Sequence, residues 1–139
     1  MKRLKLTLLL ATFALATSFA YAQTTDSTTV STESFPNVFV GKNITAGKQS
    51  KDSILESPFI TARDPNNEIQ WNVLSYKVTF VTNGRESAPI TVKGERFSEQ
   101  VIAKIKSAPS GTIIEISEIR IQSIVGMKTI VRPIVIRIR

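Results

Sequence analysis

The chain has 139 residues, with 18 basic and 11 acidic side chains, a formal charge of +7, and neither His nor Cys. That composition removes the usual zinc ligands, the commonest general base and the base or thiol of most nucleophilic pairs. It also means that any core must hold by packing alone.

Residues 1–22 read as a secretory signal peptide of bacterial type. Lys2, Arg3 and Lys5 make a positive start, Leu6 to Leu15 is almost wholly apolar, and Ala20-Tyr21-Ala22 gives the small-x-small pattern before Gln23. The apolar run is shorter than the roughly 20 residues that span a bilayer. The expectation is an exported chain, periplasmic or extracellular, that starts near Gln23 with no membrane anchor. Losing the three leader cations lowers the net charge from +7 to about +4. Such a modest excess favours acidic surfaces without calling for nucleic acid.

Residues 23–34 are rich in Ser and Thr, with Val30 the single apolar side chain. Too little surface is available there to offset ordering entropy, so the segment reads as a flexible linker. Residues 35–139 then form one domain, large enough to bury a real core.

Within it, β patterns dominate. Val38-Phe39-Val40 is a short strand closed by Gly41. Lys42 to Lys51 reads as a basic loop, and Pro58 to Ala62 as a second strand ending at the turn formers Asp64-Pro65-Asn66-Asn67. The longest strand is expected over Ile69 to Val81. Leu74, Tyr76, Val78 and Phe80 share one parity, while Trp71 and Val73 fall on the other, which predicts a bulge near Val73 or cover on both sides. Asn83-Gly84 is a strong hairpin signal, with Pro89 to Lys93 as the antiparallel return.

Ser98 is a natural N-cap for a short helix over Glu99 to Ser107, stopped by Pro109-Ser110-Gly111. Thr112 to Gln122 is a strand with a phase break. Ile114 and Ile116 lie on one parity, Ile119 and Ile121 on the other, so a bulge at Ser117-Glu118 would return all four to the core. Thr129 to Arg139 closes the chain, with Ile134, Ile136 and Ile138 on one face. Pro133 lacks an N–H, which predicts a free edge there. The fold class expected is mainly β, an antiparallel Ig-like β-sandwich with one short α-helix.

The order strand, Gly94-Glu95-Arg96-Phe97-Ser98, helix, Ser110-Gly111-Thr112, Ile116-Ser117-Glu118-Ile119 and Arg132-Pro133-Ile134 resembles the C-terminal domain of GldM, a gliding-motility and type IX secretion protein of Bacteroidetes. Val40-Gly41-Lys42 and Val73 to Val78 are similar too, so the likeness spans about residues 35–139. The resemblance implies an Ig-like periplasmic module that binds envelope proteins, without enzymatic activity or cofactor. In that family the domain closes a dimeric rod, which makes a homodimer a further expectation. The rod and membrane anchor of the family have no counterpart in this sequence, so motor coupling is not carried over.

Candidate chemistry is sparse. Glu115 and Glu118 are the best carboxylate pair for acid–base work, but solvated sheet residues are the plainer reading. Asp64, Asn66, Asn67 and Glu68 offer oxygen ligands for a hard cation in what otherwise reads as a turn. Lys42, Lys48 and Lys51 concentrate positive charge in one loop, and Arg120, Arg132, Arg137 and Arg139 recur on the last strands. These cations are the candidate partner-binding residues, with Lys42, Lys48, Lys51, Arg120, Arg137 and Arg139 foremost. Arg on a sheet edge also guards against edge-to-edge association. Trp71 and Tyr76 raise an alternative, a carbohydrate- or small-ligand-binding sandwich with an aromatic platform, against the ordinary expectation of burial.

Overall fold

The alternating apolar residues of the two longest strands decide the architecture. In a computed structural model, described for residues 36–139 with Asn67 excepted, they pair as β4 (Trp71–Thr82) and β7 (Ile113–Ser123). The expected signal peptide and linker lie outside the described residues. Around this pair the chain adds β1 (Asn37–Val40), β2 (Gly47–Gln49), α1 (Lys51–Glu56), β3 (Ile60–Arg63), β5 (Arg85–Glu86), β6 (Ile90–Lys93), α2 (Glu99–Ser107), β8 (Lys128–Val131) and β9 (Ile134–Ile138).

Seven strands make one sheet in the order β2-β9-β7-β4-β5, with β6 also on β4 and β8 also on β7. All its pairings are antiparallel except β2 with β9. Strands β8 and β9 behave as one broken strand. Ile119 faces Val131 and Ile116 faces Ile134, so the register runs unchanged across Arg132-Pro133. The break falls where Pro133 withholds a donor from the ladder.

The inner face carries Tyr76 and Val78 from β4, Ile114, Ile116, Ile119 and Ile121 from β7, and Ile134, Ile136 and Ile138 from β9, all buried. Packed into the same core are Ile54 of α1, Val101 and Ile105 of α2, and Val40 and Ile60 of the small β1–β3 sheet. Each fully buried aliphatic side chain contributes about 1.5–3 kcal/mol relative to exposure. The result is a mainly β sandwich whose second layer is part sheet and part helix.

Both expected bulges are present, and they compensate each other. Between Val73 and Lys77 the β4–β7 register slips at Leu74 and recovers at Ser117/Glu118, where Glu118 takes φ +47. The first slip puts Val73 on the buried side with Tyr76. Leu74, grouped by parity with the core residues, is instead 39% exposed. The second slip returns Ile119 and Ile121 to the core.

Three details depart from the sequence reading. The basic loop contains strand β2, and at Lys51 it passes into a second helix, α1. Ser50 caps that helix by accepting the Ser53 N–H at 3.2 Å. The closing strand is split in two. Helix α2 matches its expected bounds, with the Ser98 Oγ accepting the Val101 N–H at 3.3 Å. The Asn83-Gly84 turn has positive φ at both residues, as a primed hairpin requires.

Candidate functional site

The candidate cations do not form one continuous stripe. Lys48 is the cross-strand neighbour of Arg137 in the β2–β9 pair. Both are exposed, and Arg139 follows on the same side two residues on. That is a basic cluster at the β2–β9 end of the outer face. Arg120 lies toward the opposite end of β7, between Ile130 on β8 and Ser75 on β4. Seven residues separate it from Ile113, the partner of Arg137, which is roughly 20 Å of strand. Lys42 is exposed in the tight turn closed by the Val40–Ile44 bridge.

Lys51 is engaged structurally. Its Nζ donates to the Lys106 carbonyl at 3.0 Å, at the last turn of α2, where a cation complements the helix dipole. Its ammonium ties α1 to α2.

The carboxylates do not converge on a cleft. Glu118 Oε2 pairs with Lys77 Nζ at 2.9 Å on the open face, where such an ion pair contributes at most about 1 kcal/mol. Glu115 sits across from Val135 and Thr79. Asp64 is buried, and its carboxylate accepts the N–H groups of Asn66, Glu68 and Ile69 at 3.1–3.3 Å. Those three bonds organise the turn. Among the described residues no group of three His, Cys, Asp or Glu is placed to hold a metal ion.

The aromatic platform does not form. Tyr76 is 1% exposed and packs edge-to-face on Phe97, centroids 6.2 Å apart, with its hydroxyl donating to the Glu95 carbonyl at 3.4 Å. Burial pushes that hydroxyl well above its ordinary pKa. Trp71 is partly buried against the core. With Tyr76 enclosed, the two rings offer no shared surface to a sugar.

Sequence reasoning missed the most distinctive surface. At the β7–β8 hairpin, Ile124 is 65% and Val125 71% exposed, Met127 is exposed too, and Ile130 is 57% exposed on the outer face of β8. Cross-strand pairing places Arg120 beside Ile130, and Lys128 lies two residues from it on the same strand. The signal was the unbroken run Ile124-Val125 next to Gly126, which turn chemistry alone does not ask for.

Two surface depressions flank the sheet. One is lined by Phe80, Arg85, Glu86, Lys104 and Pro109, with the Lys104 ammonium 5.6 Å from the Phe80 ring centre. The other, about 630 Å³, lies between Asn37 and Val38 of β1 and the stretch Ile130 to Ile134 of β8–β9. Among the described residues no helix is long and apolar enough to cross a membrane.

These features define a mainly β sandwich domain whose distinctive groups sit on an outer sheet face and an edge. The chain belongs to the GldM C-terminal domain family, which it matches over residues 28–139. The match begins inside the segment expected as a linker and takes in the whole described sandwich. This membership associates the chain with gliding motility and type IX secretion, and with a family of cell-envelope proteins. No curated protein sequence matches the chain.

Proposed function

We propose that this chain is an exported, non-enzymatic recognition module of the cell envelope that binds a protein of the gliding or type IX secretion machinery. The observation that carries the reading is the apolar hairpin end of the sheet. Ile124, Val125 and Met127 in the β7–β8 turn and Ile130 on β8 are all exposed. A contiguous apolar surface rimmed by polar groups is characteristic of interaction sites on otherwise well-packed domains. Arg120 and Lys128 supply the rim, suited to an acidic partner. Family membership supports the envelope setting, and the absence of His and Cys agrees with a role without catalysis.

The test is crosslinking in intact cells, with a photo-reactive residue at Val125 and, separately, at Lys48 and Arg137. The expected result is a specific envelope-protein adduct from Val125 that is weaker or absent at the other two positions. Adducts only between copies of the chain, or none at any position, would contradict the reading.

A further inference from the structure

The depression beside the recognition end has an unusual construction, because both of its walls are strand edges. On one side is β1, paired with β3 along one edge and bridged from Val40 to Ile44 on the other, so that Val38 carries its open main-chain groups. On the other is the stretch from Ile130 to Ile134, held by β7 along one side, while β2 covers only Ile136 to Ile138 of β9. Each wall therefore presents main-chain groups that no described strand pairs. An unpaired edge is a template for another strand.

We propose that this groove binds an extended segment of a partner protein, which adds as a strand between β1 and β8–β9 and joins the small sheet to the large one. The inference rests on the recognition role and specifies its mode. Strand addition draws affinity from main-chain hydrogen bonds and specificity from alternate side chains. Val38, Val131 and Ile134 line the groove and suit apolar side chains. Its one charged lining residue is Arg132, which is exposed and forms no ion pair among the described residues. The segment it fits alternates apolar residues with at least one carboxylate. Ile130 both lines the groove and belongs to the exposed apolar set, so one partner can engage both.

The same residues argue against a second copy as the occupant. Two β8 edges laid together would bring Lys128 and Arg132 of one chain against those of the other, and like charges across a strand pair repel. The break at Arg132-Pro133 interrupts the edge, which makes uninterrupted pairing of long strands poorer while leaving short segments on either side available.

The test uses the full, isotopically labelled chain and a short peptide alternating valine and glutamate, with the lysine counterpart as control. Binding is expected to shift the amide resonances of both β1 and β8–β9. The lysine peptide and the Arg132→Glu chain are each expected to bind about tenfold more weakly, the loss of a charge-assisted contact. Lys93→Glu, exposed on β6 and outside the groove, should bind the acidic peptide as before. Equal binding of both peptides, no binding, or shifts confined to the hairpin tip would overturn the proposal. If crosslinks from Val125 persist in that case, the strand-addition mode falls and the recognition role stands. If those are absent as well, both fall.

Discussion

The closing strand of this domain is two regions in one register, and they have opposite surroundings. At the β9 end, Ile136 and Ile138 are buried, Arg137 and Arg139 alternate with them into water, and β2 covers the edge. At the β8 end, no described strand covers the edge, Ile130 is exposed beside Arg120, and Ile124, Val125 and Met127 are exposed in the turn that precedes β8. The first arrangement is what an antiparallel sheet with one solvated face requires. The second leaves apolar side chains and main-chain groups that no described strand uses. Charge alone therefore does not separate the two ends. Lys48, Arg137 and Arg139 are exposed at one, and Arg120, Lys128 and Arg132 at the other.

The comparison can be broken by substitutions at matched positions. Ile136→Ala is expected to have the largest effect on stability, about 2–5 kcal/mol by urea unfolding, because it opens a cavity in the core. Ile130→Ala, one break further along the same register, should change stability by less than about 0.5 kcal/mol while reducing the envelope adduct from Val125. Comparable losses of stability from the two would erase the distinction between the ends.

Gly41 sits at φ +60, and a Cβ there would meet the Ser57 Cβ at 2.8 Å. Gly41→Ala is therefore expected to cost about 1–3 kcal/mol in the turn that leads toward β2, read as a lower urea midpoint. Ser98→Ala should cost about 1 kcal/mol through loss of the α2 N-cap.

The buried Tyr76 sharpens the account of the core through pH. In the unfolded chain its hydroxyl ionises near the ordinary tyrosine value of about 10. In the folded chain burial holds it protonated to higher pH. Above that ordinary value the unfolded state binds fewer protons than the native one, so stability falls as pH rises. Tyr76→Phe should flatten the alkaline slope, at a cost near neutral pH of about 1 kcal/mol for the lost bond to the Glu95 carbonyl. An unchanged alkaline slope would mean that another group controls it. The smallest effect is expected at the second bulge. Glu118→Gly relieves a left-handed residue at φ +47 and removes only an exposed ion pair, so stability should hold or rise slightly.

Most of the fold was legible because its strands carry strict periodicity. The phase break between Ile116 and Ile119 identified the β7 bulge, and Ser98 marked the start of α2. The mixed parity around Val73 announced the compensating slip in β4, although parity alone assigned Leu74 to the wrong face. Helix α1 was hidden because it has a single turn and a half and one buried residue, Ile54, too little for helical periodicity to register. The parallel β2–β9 pair was equally hidden. Gly47-Lys48-Gln49 has no apolar side chain, and its pairing is set by where the neighbouring elements leave it.

The candidate surface was less legible for a related reason. Sequence marks charge and turn chemistry, but exposure is a property of the assembled sheet. Arg120, Arg137 and Lys48 could be singled out as cations without knowing which shared a face. Lys51 looked available until its ammonium was found against the α2 carboxyl end. Ile130 has the composition of a core residue but stands exposed beside Arg120, and only the β7–β8 register reveals that.

The most direct test of the central claim, that the uncovered β8 end is the recognition end, compares Ile130→Ala with Arg137→Ala in cells. Both carry the photo-reactive residue at Val125, and their thermal stabilities are checked to match. Loss of the envelope-protein adduct in Ile130→Ala alone is the result this account expects. Loss in Arg137→Ala with Ile130→Ala unaffected would contradict it and move recognition to the basic cluster at the β2–β9 end.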